Sequence, residues 1–180
     1  MKKEIGPTTA VLPCPVVLLS VSGEEQPNII TLSWVANVCS KPPTIVVGIR
    51  PQRHSHKLVM DAGDFTLNIP SIDLLEAAEF SGTKSGRDFN KFEECGLTPV
   101  PSTKIESPMI EECPINIECK VTKVESPGVH DLFTAEVLAV HLDESVLEEN
   151  GRFSPSKAKL FTYLPLSGQY WALGEQIGKL

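Results

Sequence analysis

The sequence has no uninterrupted apolar run long enough to cross a bilayer. Residues 11–21 are apolar, but Pro13 and Pro15 interrupt them, and a membrane-spanning helix needs about 20 apolar residues in succession. The start, Met1-Lys2-Lys3, lacks the apolar core of a signal peptide. We therefore expect a cytoplasmic protein without a membrane partner, whose five cysteines are free thiols.

Basic residues are in the minority. The chain has 16 Lys and Arg against 23 Asp and Glu, a formal net charge of -7. Proteins that bind nucleic acid usually present a basic face, so we expect no nucleic-acid partner. The 41% hydrophobic and 22% charged residues are typical of a folded globular chain, and its 180 residues suit one domain spanning 1–180.

Several signatures of catalysis are missing. No C-x-x-C motif supports dithiol redox chemistry, and no nucleophile elbow supports a hydrolase. The segment Gly82–Gly86 reads GTKSG, but the upstream glycine of a Walker loop is absent and the preceding pattern is helical. No G-x-G-x-x-G fingerprint is present either, so a nicotinamide would have to stack in an open pocket.

Hydrophobic patterning predicts a mainly β, antiparallel barrel with a few short helices, because no βαβ alternation appears. The predicted strands are 16–21, 28–32, 44–49, 65–69, 115–121 and 132–142, with short aromatic segments at 160–164 and 170–173. The predicted helices are 56–61, ended by Gly63; one from Ser71, as N-cap, to about Phe80; and one or two turns within 89–95.

Two further expectations concern the second half of the chain. The prolines of residues 97–114 indicate a long surface connection. Apolar and polar residues then alternate between Ile115 and Thr122, which predicts a strand with one buried and one solvated face. Asn116 and Glu118 fall on the solvated face in this interpretation.

The stretch Asn28–Lys57 carries hydroxyls and cations at the ends of two predicted strands. Thr31 and Ser33 stand at the end of the first, and Arg50, Arg53, Ser55 and Lys57 lie beyond the second. Such groups bind phosphate by charge-assisted hydrogen bonds. If the two turns meet at one rim of the barrel, they indicate a site for a planar phosphorylated cofactor. A solvated basic loop after an ordinary hairpin is the alternative.

A family resemblance rests on the order of several segments. They are Asn28, Ser33-Trp34, Ser40-Lys41-Pro42-Pro43, Arg50–Lys57, Asp64–Ile69 and Gly82–Asp88. In this order they resemble the flavin reductase-like, FMN-binding split-barrel family, with the flavoredoxin branch as the nearest match. The resemblance implies a split barrel with Greek-key connections, a homodimer, FMN as cofactor, and NADH or NADPH as a candidate electron donor.

The resemblance also implies where FMN would bind. The cofactor-binding residues expected from it are Thr31, Leu32, Ser33, Trp34, Ala36, Asn37, Cys39, Arg50, His54, Ser55, His56, Lys57, Thr83 and Lys84. No catalytic residue is expected, because the flavin carries the chemistry. The backbone of Trp34–Cys39 would face the ring, and the loop with Lys84 would close over it, where the cation favours the reduced flavin.

Alternatives remain open for these residues. Trp34 suits core or dimer-interface packing equally well, and the Lys84 loop suits an exposed flexible segment. His54 and His56 form an H-x-H pair that Cys39 could join, but no third ligand is spaced with them, so no metal is expected.

Three functions stay in contention at this point. They are an NADH- or NADPH-dependent oxidoreductase, an FMN-binding electron carrier with a redox partner protein, and, more weakly, a barrel without FMN.

Overall fold

The computed structural model describes residues 1–179 and confirms a mainly β, antiparallel fold. Its strands are β1 (Cys14–Pro15), β2 (Val17–Val21), β3 (Asn28–Leu32), β4 (Val35–Ser40), β5 (Pro43–Ile49), β6 (Asp64–Ile69), β7 (Pro99–Val100), β8 (Met109–Ile110), β9 (Ile115–Glu125), β10 (Asp131–Leu142), β11 (Phe161–Leu164) and β12 (Gln169–Ala172). Its helices are α1 (His54–Ala62), α2 (Leu75–Thr83), α3 (Lys91–Glu94) and α4 (Pro155–Ala158), with 3-10 turns at Ile72–Leu74 and Glu144–Val146.

Seven strands form the main sheet, in the order β3-β2-β6-β9-β10-β5-β4. The two edge strands, β3 and β4, are consecutive in the chain, and only Ser33 and Trp34 connect them. Four consecutive residues span at most about 11 Å, so the sheet has to curl until its two edges nearly meet. Ser33 and Trp34 therefore lie at the opening between the edges of a barrel.

Apolar residues fill the inside of this barrel and also cover part of its outside. Phe65, Leu67 and Phe133 belong to the inner cluster and are 0–1% exposed. A second cluster lies outside, where Leu18 and Ile29 pack beneath α2, α3 and β11. Strands β2 and β3 are thus buried on both faces, which explains the continuous apolar run at residues 16–21.

The helices follow the prediction, with corrections at their ends. Gly63 ends α1 in the left-handed conformation, at φ 68°, as predicted, but α1 begins at His54 instead of residue 56. Ser71 precedes the 3-10 turn but makes no side-chain cap. Helix α2 runs on to Thr83 instead of ending near Phe80, and Gly82 packs against Thr31.

One strand was not predicted, and two expectations were wrong. Residues 35–40, which are not among the predicted strands, form edge strand β4. Residues 97–114 are not a plain surface connection, since Ile110 is fully buried and β7 and β8 pair within them. They also cover the face of β9 that was expected to be solvated.

Asn116 and Glu118 are buried for that reason. Asn116 donates to Asn68 Oδ1 over 2.8 Å. The Glu118 carboxylate, 0% exposed, accepts hydrogen bonds from the Thr103 and Lys104 amides and bonds to the ring of His141. Burial acts to raise the pKa of Glu118, but these hydrogen bonds outweigh burial and hold it below its ordinary value. A polar residue is buried on this strand wherever a loop supplies its partners.

All five cysteines are free, as predicted. Within residues 1–179, no helix is long and apolar enough to span a membrane.

Candidate functional site

A groove of about 280 Å³ opens at the Ser33–Trp34 connection. Trp34 forms one wall, and its side chain is exposed enough to meet a ligand. A β-carbon on Gly48 would approach the Trp34 β-carbon to 3.3 Å, and the Gly48 amide donates to the Trp34 carbonyl over 2.8 Å. Gly48 therefore lets Trp34 pack closely against β5 at this point.

Arg50 and His130 also line the groove. Arg50 Nε donates to His130 Nε2 over 3.3 Å, and the His130 ring lies 6.5 Å from the Trp34 ring. Burial and the Arg50 charge lower the pKa of His130. The imidazole therefore stays neutral beside the guanidinium, and both groups border the groove.

A second cavity, of about 160 Å³, adjoins the groove, since Ile30 and Arg53 line both. We call it the cationic niche. Its polar lining comes from the first turn of α1, the loop after α2 and the first residue of α3: Arg53, His54, Ser55, Lys84, Arg87 and Lys91. The N-terminal amides of a helix have no partner within it, so the start of α1 adds donors to the cations.

Lys91 is the most informative residue of the niche. Its side chain is buried, at 4% exposure, and Nζ donates to the carbonyls of Ile29 and Ser81 over 2.8 Å each. An ammonium has three donors, so one remains unused. Burial, and then the charge of Arg53, lower the pKa of Lys91 to about 8. A buried charge without a counter-ion is costly, and an anion in the niche would offset that cost.

No carboxylate of residues 1–179 neutralises this niche. Among residues 1–179, none of Arg53, Lys84, Arg87 and Lys91 forms an ion pair. Burial, followed by the charges of Arg87 and Lys91, lowers the pKa of His54. Concentrated cations without counter-ions in a chain of net charge -7 indicate an anion-binding site.

Two uncharged groups complete the niche. The Asn28 amide donates to Ser55 Oγ over 2.7 Å, which leaves the hydroxyl hydrogen of Ser55 for a ligand. A β-carbon on Gly86 would lie 2.0 Å from Asn28 Oδ1 and 3.0 Å from the ring of His54. Only glycine fits there, and it lets the loop that carries Lys84 and Arg87 pack against α1.

The structure brings together many of the residues expected to form the site. Those that line the groove are Thr31, Leu32, Ser33, Trp34 and Arg50, and those that line the niche are His54, Ser55 and Lys84. The Thr31 hydroxyl, however, donates to the Ala78 carbonyl over 2.6 Å. Thr83 lies at a neighbouring cavity that shares Thr31 and Ser33 with the groove.

Five expected residues lie elsewhere. Lys57 pairs with Asp61 on the exposed side of α1. His56 bonds Asp131 over 2.7 Å and packs edge-on against Phe133. Ala36, Asn37 and Cys39 lie on the exposed edge strand β4. The structure does not bring these side chains to the groove or the niche. His54 and His56 also have different surroundings, and within residues 1–179 no group of three side chains is placed to hold a metal.

Three residues of the candidate site were not predicted from the sequence: Arg87, Lys91 and His130. Arg53 was counted among the charges of the phosphate-binding stretch. Arg87 stands inside a segment that carried the resemblance, so its charge was an available signal. Lys91 opens a short helical turn, and His130 follows the turn at 126–128. No local pattern marks either as a site residue, because tertiary packing alone places them.

Comparisons with known proteins show what the chain is similar to in sequence and fold. Residues 9–162 match the family model described as flavin reductase like domain. The chain is 33% identical to flavoredoxin of Desulfovibrio vulgaris (Miyazaki F), with a TM-score of 0.94 over 99% of this chain and 97% of that one. Flavoredoxin from Methanosarcina acetivorans has the same fold at 24% identity and a TM-score of 0.90, over 99% and 95%. A protein of Archaeoglobus fulgidus is 41% identical over 122 residues, 68% of this chain and 69% of the relative.

Proposed function

Because the chain belongs to the flavin reductase-like domain family, we propose that it binds one FMN non-covalently and takes part in electron transfer. The split-barrel fold that the resemblance implied is confirmed, since the chain matches flavoredoxin over nearly its whole length. The observation that carries the proposal is the buried ammonium of Lys91, which forms no ion pair within residues 1–179 and lines a cavity next to the groove that holds Trp34.

The FMN phosphate belongs in the cationic niche. Lys91, Arg53 and Arg87 supply charge there, and the Ser55 hydroxyl and the first amides of α1 supply neutral donors. The ring belongs in the adjoining groove, beside Trp34 and His130, which bear no net charge. The niche suits a dianion and the groove suits a flat ring. A compound that carries both a phosphate and a ring therefore fits the two cavities better than a phosphate or a ring compound alone.

When bound, FMN supplies the redox chemistry, and the protein holds it and tunes its potential. We propose that the chain is an NADH- or NADPH-dependent oxidoreductase. The alternative is an electron carrier between proteins, which its 33% identity to a flavoredoxin favours. Anaerobic mixing with NADH and with NADPH separates the two, since bleaching of the flavin occurs only if the chain accepts a nicotinamide donor.

The proposed cofactor is tested by comparing FMN with riboflavin. Charge-assisted hydrogen bonds are worth ~1.5–3 kcal/mol each, so riboflavin, which lacks the phosphate, should bind at least tenfold more weakly. Calorimetric titration of the ligand-free protein measures both affinities and the stoichiometry. Equal affinities for the two flavins would contradict the placement of the FMN phosphate in the niche.

We also propose a homodimer. Leu138, Val140 and Leu142 alternate on β10 and are 40–56% exposed, which gives β10 an apolar outer face. Trp171 is 57% exposed on β12, and aromatic residues are enriched at interfaces. Light scattering at micromolar concentration should give twice the mass of one chain, and a single-chain mass with full FMN occupancy would contradict this proposal.

A further inference from the structure

A cavity of about 580 Å³ borders the groove at Thr31 and Ser33. We call it the aromatic cavity, because Phe80 of α2 and Tyr163 and Tyr170 of the β11–β12 hairpin line it. Thr31 and Ser33 line both this cavity and the groove. A ligand in the aromatic cavity would therefore lie next to a ring in the groove.

Packing holds the aromatic walls in place. The Tyr163 and Tyr170 rings lie 5.4 Å apart, and Phe161 meets Tyr170 edge-on at 5.7 Å. On the opposite side, Phe80 packs edge-on against Phe89 at 5.5 Å. A preformed cavity of this volume with aromatic walls is of the kind that binds a small ring compound, since its walls need not be ordered on binding.

The charge at the aromatic cavity is opposite to that of the niche. Glu76 and Glu79 line it, and no lysine or arginine does. Within residues 1–179 neither carboxylate forms an ion pair. Burial, followed by the charge of Glu79 and then Tyr163, raises the pKa of Tyr170, so the phenol stays neutral. The cavity thus presents negative charge and ring faces, both of which attract cations.

We propose that the aromatic cavity is a second ligand site, which takes a small aromatic ring that is neutral or cationic and rejects an anionic one. Two carboxylates without counter-ions repel a ligand carboxylate or phosphate. If FMN binds in the groove as proposed, a ligand in the aromatic cavity would be placed to exchange electrons with it as a co-substrate, and this role rests on the proposed function. The selectivity of the cavity for ligand charge does not depend on FMN. The protein would then bind a phosphate in the cationic niche and an uncharged or cationic ring in the aromatic cavity.

Three probes of nearly equal size test the selectivity: benzylamine, benzyl alcohol and benzoate. They are titrated into the FMN-saturated protein at pH 7, and binding is followed by ligand-observed NMR. We expect benzylamine to bind most tightly and benzoate at least tenfold more weakly than benzylamine, with benzyl alcohol between them. Equal affinities for the three probes, or no binding of any, would overturn the proposal.

A matched pair of double variants assigns the effect to the cavity. Glu76→Gln with Glu79→Gln removes two charges from its lining, whereas Glu24→Gln with Glu25→Gln removes two exposed charges from another cavity. Exposed charges interact only weakly one by one. The first double variant should therefore weaken benzylamine about three- to tenfold and strengthen benzoate, and the second should change neither. The same change in both variants would overturn the proposal.

Competition with FMN separates this proposal from the proposed function. Displacement of the probes by FMN would mean that the aromatic cavity is part of the flavin site, and the second-site proposal would fail. If FMN does not bind at all but the probe order holds, the flavin assignment fails and the charge-selective cavity stands. Tyr163→Phe keeps the ring and should keep probe binding, while Tyr163→Ala should weaken all three probes.

Discussion

Replacing Lys91 by methionine separates a phosphate ligand from a structural lysine. Methionine has a similar length and no charge, so the substitution removes one charge-assisted contact to the FMN phosphate. Such a contact is worth ~1.5–3 kcal/mol, which corresponds to a loss of roughly 10- to 150-fold in FMN affinity. Riboflavin lacks the phosphate, and its affinity should stay within about twofold of the wild-type value.

The ligand-free protein should lose little stability in the same variant. The fall in the pKa of Lys91 from 10.5 to about 8 corresponds to a penalty of ~3 kcal/mol for burying its charge. Removing that penalty offsets the loss of two hydrogen bonds, to the Ile29 and Ser81 carbonyls. A structural lysine would behave differently: Lys91→Met would lower the melting temperature by many degrees and weaken FMN and riboflavin equally. That result would refute the reasoning.

The pH dependence gives a second readout of Lys91. A dianion in the niche raises the pKa of Lys91, so FMN affinity should fall as pH rises from about 8 to 9.5, where the free protein loses this proton. The stability of the ligand-free protein should rise above pH 8 up to the ordinary lysine pKa, because the unfolded chain keeps the proton that the folded chain releases. Titrations of FMN across this range should show the dependence in the wild type and not in Lys91→Met.

Three further substitutions test other parts of the site and fold. Gly86→Ala places a β-carbon against Asn28 and should destabilise the protein by about 1–3 kcal/mol in urea unfolding, whereas Gly128→Ala, with open space around it, should not. Lys84→Ala should weaken FMN but not riboflavin, since Lys84 lines the niche. A two-electron potential lowered by roughly 20 mV, with unchanged affinity, would instead place its ammonium beside the ring. Glu118→Gln should lower the free energy of unfolding by about 3 kcal/mol at pH 7. In the wild type, the stabilising effect of the Glu118 carboxylate is present above pH 4.5 and should be lost as pH falls through its lowered pKa.

Local patterns predicted much of the fold. The strand at residues 28–32 matches β3 residue for residue, and Gly63 ends α1 where its conformational freedom predicted a helix end. These features depend on neighbouring residues alone. Burial of Glu118 could not be predicted in this way, because its hydrogen-bond donors come from residues 103 and 104, which fold back over β9.

The candidate site was predicted in outline but not in its details. Residues 50–57 were treated as one cationic turn, yet α1 begins at His54. Consecutive side chains on a helix point in directions about 100° apart, so Ser55 lines the niche while His56 and Lys57 do not. Lys91 could not be inferred at all, since it is 36 residues from Ser55 in sequence and reaches the niche only through the packing of α3.

The state of the FMN phosphate tests the account most directly. A free phosphate monoester takes up its second proton at a pKa of about 6. In the cationic niche, Arg53, Arg87 and Lys91 should keep it a dianion well below that pH. Phosphorus NMR of the FMN complex, titrated from pH 8 to pH 5, measures this pKa directly. The account predicts a phosphorus shift that stays constant down to pH 5 in the wild type and moves toward free FMN in Lys91→Met. A bound phosphate that titrates near pH 6, as it does in water, would contradict it.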